Sequence, residues 1–311
     1  MALPGDLDAL TKAFSGFGVD ENSIISILGK WHPEQRKSFR KGFPQFFRED
    51  KRLFERWDER HIAFLEHEFL RFKNAMVLWT LHPWERDARL AKEALAKGDY
   101  DILVEIACTR SSEELLGARR AYHSLFDHSI EEDVAYSVND SNRNLLVALV
   151  SSYRYEGARV NEEIAETEAK TLSEAIKNAE KRPIENEEVV RIITTRSKLH
   201  LKAVFNYYKE ISGTTTEEDL EEGSSLSYTI QCISSPKTYF SKILASALKG
   251  SADEKNKQAL TRVIVTQADS YMKEISEEYH KQHGVSLSQK IEETTNGNYK
   301  DFLLTLVARG D

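Results

Sequence analysis

The sequence is poor in the groups that build thiol, disulfide or membrane-spanning chemistry. Only two cysteines, Cys108 and Cys232, occur in 311 residues. There is no C-x-x-C, so zinc and thioredoxin-type readings lack a ligand set, and two distant cysteines make no secreted disulfide framework. Prolines number six, and few runs alternate in the Val/Thr-rich manner of strands, which points to helix. No apolar run approaches the roughly 20 residues of a spanning helix. Residues Met1–Leu7 (M-A-L-P-G-D-L) show no basic n-region and no apolar h-region, so no signal peptide is expected. A G-x-x-x-x-G-K-[ST] phosphate loop is also missing. These absences predict a reduced, soluble, intracellular protein.

What is present is a balanced globular composition, 40% hydrophobic and 30% charged, with a net charge of −8. An acidic chain does not approach nucleic acid or an anionic membrane through its overall field. Contact with phosphate surfaces then needs a local basic patch or a bridging cation.

The sequence repeats. T-R-S occurs at Thr109–Ser111 and Thr195–Ser197, and T-Q-A at Thr266–Ala268. A tyrosine lies 12 residues after the middle position each time: Tyr122 after Arg110, Tyr208 after Arg196, Tyr279 after Gln267. Trp31 and Phe43, also 12 apart, give a fainter first copy. The ladder 31, 110, 196, 267 predicts four units of roughly 70–85 residues. Apolar runs follow Tyr122 and Tyr279 at 24 residues, centred on Leu146 and Leu303, and the same step from Tyr208 reaches Cys232. The matching run of unit one, at Val77 and Leu78, comes about ten residues late, which predicts an insertion. The predicted units are 1–82, 83–160, 161–236 and 237–311.

Within a unit the period is helical. Ile24, Ile25, Ile27 and Leu28 form one expected stripe; Ile102, Leu103 and Ile106 a second; Val189, Val190, Ile192 and Ile193 a third. Ser111 with Glu114 reads as a capping box. The fold class is all-α, about five short helices per unit, with polar Tyr155–Ala175 as the longest linker.

Phe14–Glu21 (F-S-G-F-G-V-D-E) is the chemically suggestive stretch. Gly16 and Gly18 free the backbone to turn carbonyls toward one point, and Asp20 reads as a helix N-cap. Converging carbonyls beside acidic side chains suit a hard cation such as calcium.

Four units, the T-R-S marker with its tyrosine, and G-F-G-V-D-E in the first unit together resemble the annexins. V-L-W-T-L-H-P-W-E-R-D-A (77–88), E-I-A-C-T-R-S (105–111), V-S-S-Y-R-Y-E-G (150–157) and T-R-S-K (195–198) are similar to plant members in particular. The resemblance implies a four-repeat helical disc, slightly curved, that binds anionic phospholipid reversibly when calcium is present. It implies a cytoplasmic protein that is peripheral to membranes, with no catalytic residues and no nucleic-acid partner. It also implies a main calcium site from the carbonyls of Phe14, Gly16 and Gly18 with a carboxylate near His67, for which Glu68 is chosen over Glu66. A secondary site would use the Val19 carbonyl and Glu21. The fourth unit keeps a degraded version in Lys249, Gly250 and Ser251, with Glu293 beside Thr294 at the cap position. Units two (L-A-K-G-D-Y-D, 95–101) and three (R-P-I-E-N-E-E, 182–188) read as structural.

Other implied roles compete with plainer readings. His32 is a haem-ligand candidate of a peroxidase-like enzyme, against a simple helix cap. Cys108 and Cys232 read as small buried hydrophobes before they read as a redox pair. Arg36, Lys37, Arg40 and Lys41 read as a solvated basic face. Asp87 and Arg110 match an acid–base pair lining a polar channel, and Gln267 weakens the reading of a calcium-permeable conductance. Val189–Ile193 resembles an actin-binding phrase, against a buried stripe; actin or other annexins are the implied protein partners.

Overall fold

The computed structural model describes residues 4–14, 17–49, 55–151, 154–178 and 181–310. The first quarter contains α1 (Pro4–Ala13), α2 (Glu21–Leu28), α3 (Pro33–Gly42), the antiparallel pair β1 (Phe47–Glu49) and β2 (Glu55–Trp57), and α4 (Glu59–Thr80). The second contains α5 (Pro83–Lys97), α6 (Tyr100–Thr109), α7 (Ser112–Phe126), α8 (Ile130–Ser137) and α9 (Arg143–Val150). The third contains α10 (Glu162–Lys177), a 3-10 turn at Pro183–Glu185, α11 (Glu187–Thr195), α12 (Lys198–Ser212), α13 (Thr216–Asp219) and α14 (Ser225–Ser234). The fourth contains α15 (Pro236–Ala247), α16 (Glu254–Gln267), α17 (Met272–His283), α18 (Leu287–Thr294) and α19 (Gly297–Val307). The fold is all-α, as the periodicity predicts. Two compact units emerge: residues 1–80 with 240–311, and residues 81–239.

Local chemistry starts many of these helices. Ser111 takes the Glu114 amide at 3.2 Å while the Glu114 carboxylate takes the Ser111 amide at 2.8 Å. Ser129 with Glu132 and Thr215 with Glu218 repeat the device at α8 and α13. Reciprocal caps of this kind satisfy donors that no helix can satisfy internally.

The repeated markers have a packing reason. Tyr122 and Tyr208 are fully buried, and each hydroxyl donates to an aspartate 11 residues on: Asp133 at 2.5 Å and Asp219 at 2.6 Å. Burial and the neighbouring aspartate push both phenols well above the ordinary tyrosine value. The T-R-S arginines pair inward as well. Arg110 forms a bidentate pair with Asp87 at 2.7 and 2.9 Å, and Arg196 donates to Glu168 at 2.8 and 2.6 Å. Glu168 also meets Arg191 and buried His200, the latter at 2.9 Å.

Two sequence expectations need correction. Tyr155–Ala175 is not all linker, because α10 begins at Glu162 and buries Ala165, Ala169 and Leu172. Its inward positions are small and flanked by acids, so the stripe is faint in sequence. Ile25 is not in the stripe of α2 but 69% exposed, while Ile24, Ile27 and Leu28 pack on a core of Leu10, Phe14, Trp31, Phe39, Phe46, Phe47 and Leu65. Phe46 and Phe47 of that core stand at the start of the β1–β2 pair. The other two stripes bury Leu103 and Ile106, and Val189, Ile192 and Ile193.

Candidate functional site

The loop after α1 is shaped by its ends. The Phe14 amide still bonds to Leu10 O at 3.0 Å, and its ring lies in the aromatic core, 6.4 Å from Phe39 and 6.2 Å from Phe46. Gly16 lies outside the described residues. Asp20 caps α2 as predicted, taking the Ser23 amide at 3.1 Å and its hydroxyl at 2.6 Å. Burial pushes the Asp20 carboxyl up, but the Ser23 bonds and Lys300 outweigh it and hold it below the ordinary aspartate range.

Between these ends the loop is clamped to the turn after α18. The Phe17 amide donates to Thr294 O at 3.3 Å, and Phe17 O accepts from the Asn296 amide at 2.8 Å. Gly18 adopts φ +78°, and a β-carbon there would stand 2.9 Å from Asn296 O. Gly297, at φ +61°, faces back: a β-carbon on it would collide with Val19 O and lie 2.6 Å from Glu21 Oε2. The predicted secondary pair, Val19 O and Glu21, thus comes together around Gly297.

Glu68 reaches this loop from α4. Its Oε2 accepts the Gly18 amide at 2.5 Å, across 50 residues of sequence. His67 and Glu66 do not share the position: His67 Nε2 contacts Glu254 Oε1 at 2.6 Å, and Glu66 is exposed. Glu68 is buried and charge-compensated. Arg71 Nε donates to Oε2 and Nη2 to Oε1, both at 2.8 Å, and Lys257 Nζ lies 3.6 Å from Oε1. Burial acts to lower the Arg71 pKa, but Glu68, Tyr299 and Glu254 outweigh it and hold the guanidinium above the ordinary arginine value. Arg71 also lies 6.0 Å from the centre of the Tyr299 ring, whose phenol burial pushes up to about 12.

The sequence reading missed Arg71 and Lys257. Arg71 was legible as a Glu68 (i, i+3) helix pair. Lys257 was not, since its place beside Glu68 depends on how α16 packs on α4.

The fourth-quarter residues do not form a comparable set. Lys249, Gly250 and Ser251 lie in an exposed turn, where Lys249 O accepts the Ala252 amide at 2.9 Å. Glu293 is engaged on its own helix by Gln289 at 3.1 Å and Lys290 at 3.3 Å. Among the described residues no three His, Cys, Asp or Glu side chains converge as a metal set. Any ion here must lean on main-chain carbonyls. In the first loop carboxylate and loop do converge, Glu68 Oε2 on the Gly18 amide, and carboxylate and carbonyl oxygens are the donor type that suits a hard cation.

The remaining candidates take plain roles. His32 is exposed at the start of α3, where its amide donates to Gln35 Oε1 at 2.9 Å. Arg40 and Lys41 lie 3.5 and 3.8 Å from Glu55 of β2, and Arg36 donates to Trp31 O at 3.1 Å. Cys108 and Cys232 are free and buried; burial pushes the Cys108 thiol up to about 11 and the Cys232 thiol well above its ordinary value. Both are therefore neutral, weakly reactive thiols. No helix among the described residues is long and apolar enough to cross a membrane.

Comparison with known proteins agrees with this architecture. The family model described as Annexin matches residues 86–149, 167–227 and 239–306. Annexin D4 of Arabidopsis thaliana is 50% identical over 319 residues, covering 100% of both chains. Annexin-like protein RJ4 of Fragaria ananassa is 41% identical, covering 98% of this chain and 96% of its own. Among solved structures, chicken annexin V matches with a TM-score of 0.68 at 27% identity, over 99% of this chain and 97% of that one. With three matched segments, a helical fold and full-length relatives all in agreement, the chain belongs to the annexin family.

Proposed function

We propose that this chain is a non-enzymatic, cytoplasmic module that binds anionic phospholipid surfaces reversibly and peripherally in the presence of calcium. Its family and fold support calcium-dependent phospholipid binding in general. The observation that carries the finer reading is the meeting of Gly18 and Glu68, a glycine loop and a carboxylate brought together by the fold across 50 residues of sequence. The carbonyls of Phe14, Gly16 and Gly18 with Glu68 would hold the ion, and Val19 with Glu21 a weaker second one. A bound calcium would join these oxygens to a lipid phosphate. One carboxylate among neutral carbonyls makes for low intrinsic affinity. Lipid and ion then each favour the other's binding, by the reciprocity of linked equilibria.

A haem-dependent activity has no comparable support. A haem site needs an apolar pocket, and exposed His32 is not in one. The actin-like phrase is mostly core: Val189, Ile192 and Ile193 are buried.

Co-sedimentation with phosphatidylserine vesicles tests the reading. Pelleting is expected with calcium and not with chelator, and Glu68→Gln should reduce it. Equal pelleting in chelator at neutral pH would overturn the calcium mechanism.

A further inference from the structure

Glu68 is engaged entirely by groups of the chain itself. Its side chain has no exposed surface, and Arg71 meets it with two parallel hydrogen bonds of 2.8 Å. Bidentate arginine–carboxylate pairs are the strong kind. Lys257 adds a second positive charge at 3.6 Å, and its ammonium is held in place by ring faces, 4.7 Å from Phe17 and 5.1 Å from Phe64. That side chain is only 14% exposed. A cation arriving at the loop would need the same carboxylate and would meet both charges at close range, where like charges repel strongly.

Arg71 has a second acid within reach. Its Nη2 lies 3.1 Å from Glu254 Oε2 and 3.4 Å from Oε1. Glu254 opens α16, directly after the exposed fourth-quarter turn, and its carboxylate is 44% exposed. The guanidinium is thus shared between a buried acid at the first loop and a more exposed one at the fourth. A move toward Glu254 would free Glu68 without leaving Arg71 unpaired, so it avoids the heavy cost of an uncompensated buried charge.

Resting on the calcium reading above, we infer that Arg71 and Lys257 form a latch that sets the ion affinity of the first-quarter loop. They hold Glu68, and the loop accepts calcium only as Arg71 transfers to Glu254.

The test is calcium calorimetry and calcium-dependent melting of the full chain, run beside vesicle sedimentation. Arg71→Gln is expected to tighten calcium binding by roughly tenfold or more. Its Tm should rise further with calcium than that of the parent chain, because ligand that binds only the folded state stabilises it. Adding Glu68→Gln should erase both gains. Glu254→Gln alone should weaken binding, since the guanidinium loses its alternative partner. Lys257→Met should give a smaller gain in the same direction, and it decides the matter if Arg71→Gln does not fold. Should neither Arg71→Gln nor Lys257→Met bind calcium more tightly than the parent, the latch is wrong, while calcium-dependent pelleting would leave the membrane reading intact. Conversely, a gain that depends on Glu68 in solution, without pelleting of any variant, would uphold the latch and sink the membrane reading.

Discussion

Residues 81–239 and the unit formed by residues 1–80 with 240–311 are built on the same repeat, yet they fill equivalent positions differently. In 81–239 both T-R-S arginines are paired, Arg110 with Asp87 and Arg196 with Glu168, and both marker tyrosines donate to aspartates. In the other unit the arginine positions hold Trp31 and Gln267, and the tyrosine positions hold Phe43 and Tyr279. Gln267 is fully buried and, among the described residues, its Oε1 has no hydrogen-bond partner. Lys290 stands 11 residues after Tyr279, where the other copies have aspartate. Trp31 and Phe39 pack edge to face at 5.7 Å in an aromatic core instead. One unit therefore fixes its helices with buried polar pairs, which are directional. The other uses ring packing, and its bidentate buried pair, Arg71 with Glu68, lies at the candidate loop.

Charge divides the same way. Residues 81–239 carry 20 Lys and Arg against 29 Asp and Glu, whereas the remaining residues carry 23 against 22. The glycine loop lies in the nearly neutral unit, where repulsion from an anionic surface is least.

The comparison breaks most readily at Asp87. Asp87→Ala strands a buried guanidinium, and urea unfolding should show a loss of about 3–5 kcal/mol. Its counterpart, Gln267→Met, removes an unsatisfied buried oxygen and should be neutral or stabilising by up to about 1 kcal/mol. If the two changes cost the same, the polar pairs do not set the units apart. A finer contrast is Tyr208→Phe, expected to cost about 1 kcal/mol by loss of its bond to Asp219. Tyr279→Phe, without an aspartate at that spacing, should cost clearly less in the same urea series.

Acid gives the smallest effect. Burial pushes the Glu168 carboxyl up, but hydrogen bonds from Arg196 and His200, helped by Arg191, hold it below the ordinary value of 4.5. A depressed carboxyl contributes stability that is complete above its ordinary range and fades as pH falls through the folded value. Urea midpoints of the parent chain and Glu168→Gln, followed from about pH 6 to pH 3, should converge at the acid end. A constant gap would show that Glu168 acts through packing alone.

Which features could be read before folding follows from their range. Ser111 with Glu114 is a contact three residues long, so its spelling is its structure. The tyrosine and T-R-S markers are visible as a rhythm, and the tyrosines' aspartate partners, Asp133 and Asp219, stand at a constant offset of 11. The helix α10 escaped because small Ala165 and Ala169 among acids give little hydrophobic contrast. Ile25 misled for the opposite reason: four apolar residues in five cannot all face one side of a helix.

The sequence alone determined the helical repeat and the glycine loop that Asp20 closes. Each rests on spacing within a few turns of chain or on a motif copied along it. Tertiary structure decided what that loop contacts. It set Gly18 against Gly297's turn, brought Glu68 to the Gly18 amide, and surrounded Glu68 with Arg71 and Lys257. Those contacts join α4, α16 and the turn after α18, and they exist only because helices far apart in sequence share one buried core, where a carboxylate must find its countercharge.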